Sequence, residues 1–313
     1  MEAKRVTMGN EPALITRILF ATDFSACARH AEQYVAFLAA AYRAAVTVLH
    51  VLEIYEGAYV TTVQDQHESG SRLDDVAGRL RQPAVPVTHQ QRAGIPDAII
   101  CDVAEDTRAD LIVLGTHGRT GLRHILLGST AERVLTMAPC PVLTVRLPEE
   151  AERQGAGRPI RLMHVAVPID FSDCSMEALE YGVRIAKDGG ASVTLLHILE
   201  PLSYGIDLTF GHAAEQNRQQ IAAQLKQAAD EIEARGVSVR PVIRGGVPAD
   251  SILDYIHSSD CDLVVMGTQG RRGIAHVVKG SVAEAVLRRA PCPVLAGKHF
   301  TVAGTGRLAA RVS

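Results

Sequence analysis

The sequence predicts two tandem α/β domains, each a doubly wound parallel sheet, and three observations carry that reading. The chain repeats itself, each copy alternates short apolar runs with amphipathic helical stretches, and the size suits two ordinary cores. Self-similarity at long period points to duplicated units. Alternating strand and helix patterns point to βαβ layers. With 313 residues, 47% of them hydrophobic, the chain is about twice the usual length of one domain.

The repeat is direct. Ile18 to Ser25 reads ILFATDFS and returns 147 residues later as VAVPIDFS, from Val165 to Ser172. Leu49-His50-Val51 returns at the same interval as Leu196-His197-Ile198. Gly115 to Leu143 matches Gly267 to Leu295 at 18 of 29 positions, now 152 residues apart. The extra residues of the second copy fall between these blocks, where a helical stretch from His212 to Arg235 outruns its counterpart from His67 to Leu80. The domains are therefore set at residues 17–146 and 161–298. An extension over 1–16, a linker over 147–160 and a tail over 299–313 flank them; Pro148 to Pro159 is charged and Gly-rich, as exposed linkers are.

In the first copy the strands are expected near 17–22, 45–51, 84–92, 111–115 and 141–146, as runs of Val, Ile and Leu without polar alternation. Such runs suit strands buried on both faces of a parallel sheet. Ser25 and Ser172 sit where helix caps belong. The residues after them, Ala31, Tyr34, Val35 and Leu38, then Ala178, Tyr181, Gly182 and Ile185, recur with helical spacing.

Composition narrows the function. A net charge of −3, from 32 basic and 35 acidic residues, supplies no general field for nucleic acid or an anionic membrane. Met1 to Thr16 lacks a signal-peptide core, and no apolar run reaches the roughly 18 residues of a membrane span. Six cysteines without a C-x-x-C pair read as reduced thiols rather than a disulfide framework or zinc site. A cytoplasmic protein is expected.

In an open parallel sheet the ligand lies beyond the carboxyl ends of the strands. Three positions stand there in each copy: Asp23 or Asp170 after strand one, Val51 or Ile198 at the end of strand two, and a glycine loop after strand four. The loop reads Gly115-Thr-His-Gly118, nine residues, then Gly128-Ser129; its counterpart reads Gly267-Thr-Gln-Gly270, nine residues, then Gly280-Ser281. Glycine permits positive φ and close backbone approach. The closing Gly-Ser opens a helix, whose free N–H groups and dipole attract phosphate.

These residues resemble the universal stress protein family, and within it the ATP-binding subgroup with the signature G-x2-G-x9-G-[S/T]. Both copies carry that spacing in full, together with the Asp-Phe-Ser and Leu-His-Val/Ile elements. The resemblance implies a Rossmann-like, HUP-type sheet of five strands in order 3-2-1-4-5. ATP, with Mg²⁺, would lie between strands one and four, and domains would pair through their fifth strands. In a tandem chain that pairing can be internal, with Val142 to Arg146 meeting Val294 to Lys298 antiparallel; homodimerisation is left open. By the same resemblance Asp23 and Asp170 would contact adenosine, and backbone at Val51 and Ile198 the adenine edge. Gly115, Gly118, Gly128 and Ser129, with Gly267, Gly270, Gly280 and Ser281, would hold ribose and phosphates. The copies differ: Pro168 stands where the first has Ala21, and Lys279 where it has Leu127. The second site is therefore expected to bind more tightly.

Each of these residues also has a purely structural reading. Asp23 and Asp170 can cap the next helix, His50 and His197 read as satisfied core histidines, and Cys27, Cys174, Cys140 and Cys292 as small packing residues. Arg119, Arg123, Arg271 and Arg272 face either solvent or phosphate. The leading function is a nucleotide-dependent regulator in the stress response acting on a protein partner. The alternatives are a slow ATPase or phosphotransferase with Ser129 or Ser281 as acceptor, and a nucleotide-free dimerisation module. No P-loop is present and spacing assembles no catalytic set, so catalysis is not favoured.

Overall fold

The structure is a computed structural model that describes residues 13–53, 63–116, 127–148, 160–200, 209–270 and 280–300. The first half runs β1 (Arg17–Ala21), α1 (Ala26–Tyr42), β2 (Ala45–Glu53), α2 (Val63–Leu80), β3 (Val87–Gly94), α3 (Pro96–Asp106), β4 (Leu111–Gly115), α4 (Ser129–Met137) and β5 (Val142–Val145). The second repeats it as β6 (His164–Pro168), α5 (Asp173–Gly189), β7 (Ser192–Leu199), α6 (Thr209–Glu233), β8 (Val239–Gly245), α7 (Pro248–Ser258), β9 (Leu263–Gly267), α8 (Ser281–Arg289) and β10 (Val294–Gly297).

Local chemistry sets each element. The start of β1 is pinned by Asp110, whose Oδ2 accepts the Thr16 and Arg17 N–H groups at 2.8 and 2.9 Å. Asp262 does the same for Met163 and His164, also at 2.8 and 2.9 Å. Within β1 the side chains alternate between two cores, Ile18 and Phe20 on one face and Leu19 on the other. Ser25 Oγ caps α1 by accepting the Ala28 N–H at 3.2 Å, and Ser172 Oγ caps α5 by accepting the Ser175 N–H at 3.3 Å. Ala31, Val35 and Leu38 face the core as their spacing requires. Left-handed residues end these helices, Arg43 with φ 52° and Gly190 with φ 70°. A forked pair then ties α1 to α2, Arg79 Nε and Nη2 donating to Glu32 at 2.7 and 2.9 Å, and Arg235, just past α6, donates through Nη1 to both Glu180 oxygens of α5 at 3.1 and 2.9 Å.

The strands form one ten-stranded sheet in order β3-β2-β1-β4-β5-β10-β9-β6-β7-β8. Each half has the expected order, third-second-first-fourth-fifth, with all pairs inside a half parallel. The outer strands correct the idea that every strand is an apolar run. β3 is VTHQQRAG, with no residue buried and half of them exposed, and β8 carries Pro241. Edge strands leave one ladder side open, where polar residues and proline discourage pairing with another chain.

At the centre β5 and β10 pair antiparallel, with Leu143 opposite Leu295 and Thr144 opposite Val294. Leu143 and Leu295 are counterparts in the repeat, so a pseudo-two-fold axis passes between them. Thr144 Oγ1 donates to the Val294 carbonyl at 3.1 Å. Arg288 bridges Glu132 of the other half at 3.1 and 2.9 Å and Glu284 of its own at 3.0 Å. The first helices cross the seam too. Burial, with Cys292 and Asp262 of the other half nearby, pushes the Tyr34 hydroxyl up to about 12. Burial, with Cys140 and Asp110 nearby, likewise raises Tyr181. One core lies on each face of the sheet and spans both halves. The linker lies almost wholly outside the described residues.

Leu143 and Leu295 are 2% and 1% exposed, so Leu295→Asp buries an unpaired carboxylate on the axis. A stability loss of about 4 kcal/mol or more is expected in urea unfolding. The half-exposed Arg288 network predicts no more than about 1 kcal/mol for Arg288→Ala. Similar small losses for both would contradict the seam described above.

Candidate functional site

After β1 and β6 the chain makes the same tight turn. The Thr22 N–H donates to Leu49 O at 2.9 Å, and Ile169 N–H to Leu196 O at 2.9 Å, carrying the ladder one residue past each strand. Asp23 Oδ1 then accepts the Ser25 N–H at 3.0 Å. Asp170 Oδ1 accepts the Ser172 N–H at 3.0 Å and its hydroxyl at 2.6 Å. These Asx turns force the residue between into the left-handed region, with φ 64° at Phe24 and 63° at Phe171. An aromatic residue there costs of order 1–3 kcal/mol. Packing offsets it: the Phe24 ring lies 4.4 Å from His50, and Phe171 lies 5.3 Å from His197. Each imidazole is held by an Nδ1–H bond, to Thr22 O at 2.7 Å and to Ile169 O at 2.8 Å. Both histidines are thus buried, satisfied supports of the turn, as their sequence setting indicates.

The first half adds cations. Arg72 stacks 4.3 Å over the Phe24 ring, and Arg29 Nη1 and Arg72 Nη2 donate to Phe24 O at 3.0 and 3.4 Å. Met176 replaces Arg29 in the second half.

The glycines act through their missing Cβ. At Gly115 a Cβ would stand 3.1 Å from Cys27 Sγ and from Ala28 N; at Gly267 it would stand 2.6 Å from Cys174 Sγ and 3.0 Å from Cys174 C. These two glycines let the fourth strand end against the first turn of α1 or α5. The positive φ that glycine permits is not used by the loop's described glycines; Gly128 and Gly280 both have φ −68°. Each closes a turn instead, Gly128 N–H donating to Thr116 O at 2.7 Å and Gly280 N–H to Thr268 O at 2.9 Å. A Cβ would come within 3.1 and 3.3 Å of those carbonyls. Both glycines are helix N-caps without a side-chain cap bond, so among the described residues no cap side chain takes the first-turn N–H groups of α4 and α8, the kind of helix start that attracts an anion. Ser129 and Ser281 follow, exposed. A Cβ at Gly270 would lie 2.8 Å from Asp170 Oδ2, which brings the glycine loop against the carboxylate of the first strand.

Val51 and Ile198 are half-buried near the ends of β2 and β7, in register with Arg92 and Arg244 on the edge strands. Gly118, Lys279, Arg119, Arg123, Arg271 and Arg272 lie outside the described residues. The cysteines of the first helical turn serve packing. Cys27 Sγ donates to Val145 O at 3.1 Å, Cys174 Sγ to Lys298 O at 3.3 Å, and burial raises the Cys174 thiol. Sequence reasoning missed the left-handed phenylalanines and the threonine after each first glycine. Thr268 is fully buried, and among the described residues its hydroxyl has no partner. The repeated Asp-Phe-Ser and Gly-Thr pairs were the available signal. Among the described residues no three His, Cys, Asp or Glu side chains gather to hold a metal, and no helix is long and apolar enough to cross a membrane.

Comparison with known proteins agrees with this architecture. The universal stress protein family model matches residues 15–146 and again 162–298. A universal stress protein of Mycolicibacterium smegmatis is 25% identical over 292 residues, covering 89% of this chain and 95% of that one. One from Methanocaldococcus jannaschii is 33% identical over 142 residues, 43% of this chain and 81% of its own length. The crystal structure of a universal stress protein from Archaeoglobus fulgidus superposes with a TM-score of 0.67 at 23% identity, covering 91% of this chain and 96% of that one. Two matched copies of the domain, joined in one sheet, make this chain a tandem member of the universal stress protein family.

Proposed function

We propose that each half binds one adenine nucleotide, ATP, at the carboxyl ends of its first and fourth strands, and that the protein acts as a nucleotide-dependent regulator rather than a catalyst. One observation carries this reading. An acidic turn (Asp170) and a glycine loop (Gly270) lie so close that a Cβ on the glycine would stand 2.8 Å from the carboxylate, and the helix that follows this loop in the chain opens with no side-chain cap. The carboxylate accepts hydrogen bonds from ribose hydroxyls, and the open N–H groups at Gly280 and Ser281 suit phosphate. Gly128 and Ser129 repeat the open helix start, and Asp23 the acidic turn. Glycine at 128 and 280 puts no side chain at the helix start, which leaves the backbone N–H groups accessible to a phosphate. With the described acidic residues dispersed, Mg²⁺ would ride on the phosphates with its waters, which is how that ion commonly binds. Val51 and Ile198 would offer backbone to the adenine edge. A cytoplasmic setting and a protein partner that reads the nucleotide-ordered loops complete the proposal.

The first test leaves the turn intact. In Asp170→Asn the amide oxygen still accepts from Ser172, but the negative acceptor is gone. ATP affinity at the second site falls about tenfold with little change in Tm, a loss of roughly 1.4 kcal/mol. Unchanged affinity by calorimetry would place the nucleotide elsewhere.

The two sites are also unequal. Arg29 and Arg72 are committed to the Phe24 carbonyl and ring, so they add little to phosphate binding in the first half. Pro168 stiffens the approach to Asp170, worth about 0.4–1 kcal/mol, and Lys279 adds a charge beside Gly280, worth roughly 1 kcal/mol if screened. Gly128→Val and Gly280→Val each block one site by filling the helix start, with circular dichroism to check local strain. Titration of the remaining site should show the second half binding about tenfold more tightly; equal affinities, or tighter binding by the first half, would contradict it.

A further inference from the structure

Two thiols meet in the second half, at the end of the sheet opposite the candidate nucleotide site. Cys261 lies just before β9 and Cys292 just before β10. The two strands are parallel with Val264 opposite Val294, and the Val264 N–H donates to Pro293 O at 3.0 Å. That register, carried back, sets Cys292 beside Asp262 and so next to Cys261. Both side chains pack on the same core cluster, and the thiols are within hydrogen-bonding reach of each other. Neighbouring strands lie about 4.8 Å apart. A disulfide spans a Cα separation of about 4.4–6.8 Å, the range in which residues on neighbouring strands commonly lie. Both thiols are free and only partly buried. The pair belongs to the second half alone, because the first has Ala109 where the second has Cys261, across from Cys140.

We propose that Cys261 and Cys292 form a peroxide-responsive dithiol that closes to an intramolecular disulfide at the seam of the molecule. Cys261 is the attacking thiol. The hydrogen bond from Cys292 holds it below its usual range against the opposing effect of burial. Cys292 is pushed well above its range by the same bond and by burial, so it stays protonated until it resolves the intermediate. The Cys261 thiolate attacks a hydroperoxide oxygen; an S–O bond forms, the O–O bond breaks, and the leaving alkoxide or hydroxide takes a proton from solvent. The Cys292 sulfur then attacks the Cys261 sulfenic acid. The S–S bond forms, the S–O bond breaks, and the hydroxide leaves with the Cys292 proton as water. Two thiols lose two electrons and the peroxide gains them. Tyr34 of the first half lies near Cys292, so the bond forms under the contact between the halves.

The test uses the full chain, treated with hydrogen peroxide, alkylated and digested without reductant. The expected product is a Cys261–Cys292 linked peptide pair lighter by two hydrogens, reversed by dithiothreitol, with Cys140 still open to alkylation. In Cys292→Ser the reaction stops at a Cys261 sulfenic acid that a cyclic 1,3-dione traps, while in Cys261→Ser neither crosslink nor adduct forms. The wild-type digest decides the matter whether or not the variants fold. Alkylatable Cys261 and Cys292 after treatment, a sulfinic acid without crosslink, or pairing of either with Cys101 or Cys140 would overturn the proposal.

Discussion

The antiparallel pairing of β5 with β10 is the constraint on which the rest of the molecule depends. Each half alone would end its sheet in a short, fully buried strand, Val142–Val145 or Val294–Gly297, with an unpaired ladder edge. Joining the two edges satisfies both, and places Leu143 against Leu295 on the axis. The helices on either face then find continuous surfaces, so each core spans the seam instead of stopping at it. Duplication accordingly yields one cooperative body whose two candidate sites open at the carboxyl ends of the parallel strands of each half.

The symmetry is imperfect in ways that matter chemically. One arginine, Arg288, serves glutamates of both halves because its counterpart is Thr136. The turn at Phe24 gathers two guanidinium groups, while Met176 leaves the second turn without one of them. The dithiol exists in the second half alone. Each difference lies at the seam or at a strand end, where a substitution changes charge or reactivity without disturbing the shared cores.

Much of this was legible in the sequence, for physical reasons. β1, β2, β4 and β5 begin and end close to their apolar runs, because strands buried on both faces need uninterrupted Val, Ile and Leu. The helix caps at Ser25 and Ser172 were likewise readable from their place before apolar periodicity. β3 was placed early and described as apolar because nothing in a linear pattern reveals which strand becomes an edge. The glycines were the instructive case. Their recurrence pointed to close approach of backbone to a ligand, yet at Gly115 and Gly267 the group the structure brings close is a cysteine on a helix distant in sequence. The left-handed Phe24 and Phe171 were hidden for a similar reason: phenylalanine gives no sign of positive φ, and only the Asx turn and the histidine beneath it explain the conformation.

The central claim is that each half holds an adenine nucleotide between an acidic turn and an open helix start. The most direct measurement is mass spectrometry of the small molecules released when the purified chain, incubated with ATP and freed of excess by gel filtration, is denatured. The account predicts an adenine nucleotide in a ratio above one and approaching two per chain. A chain that releases none, at concentrations where its sheet is intact by circular dichroism, would contradict it.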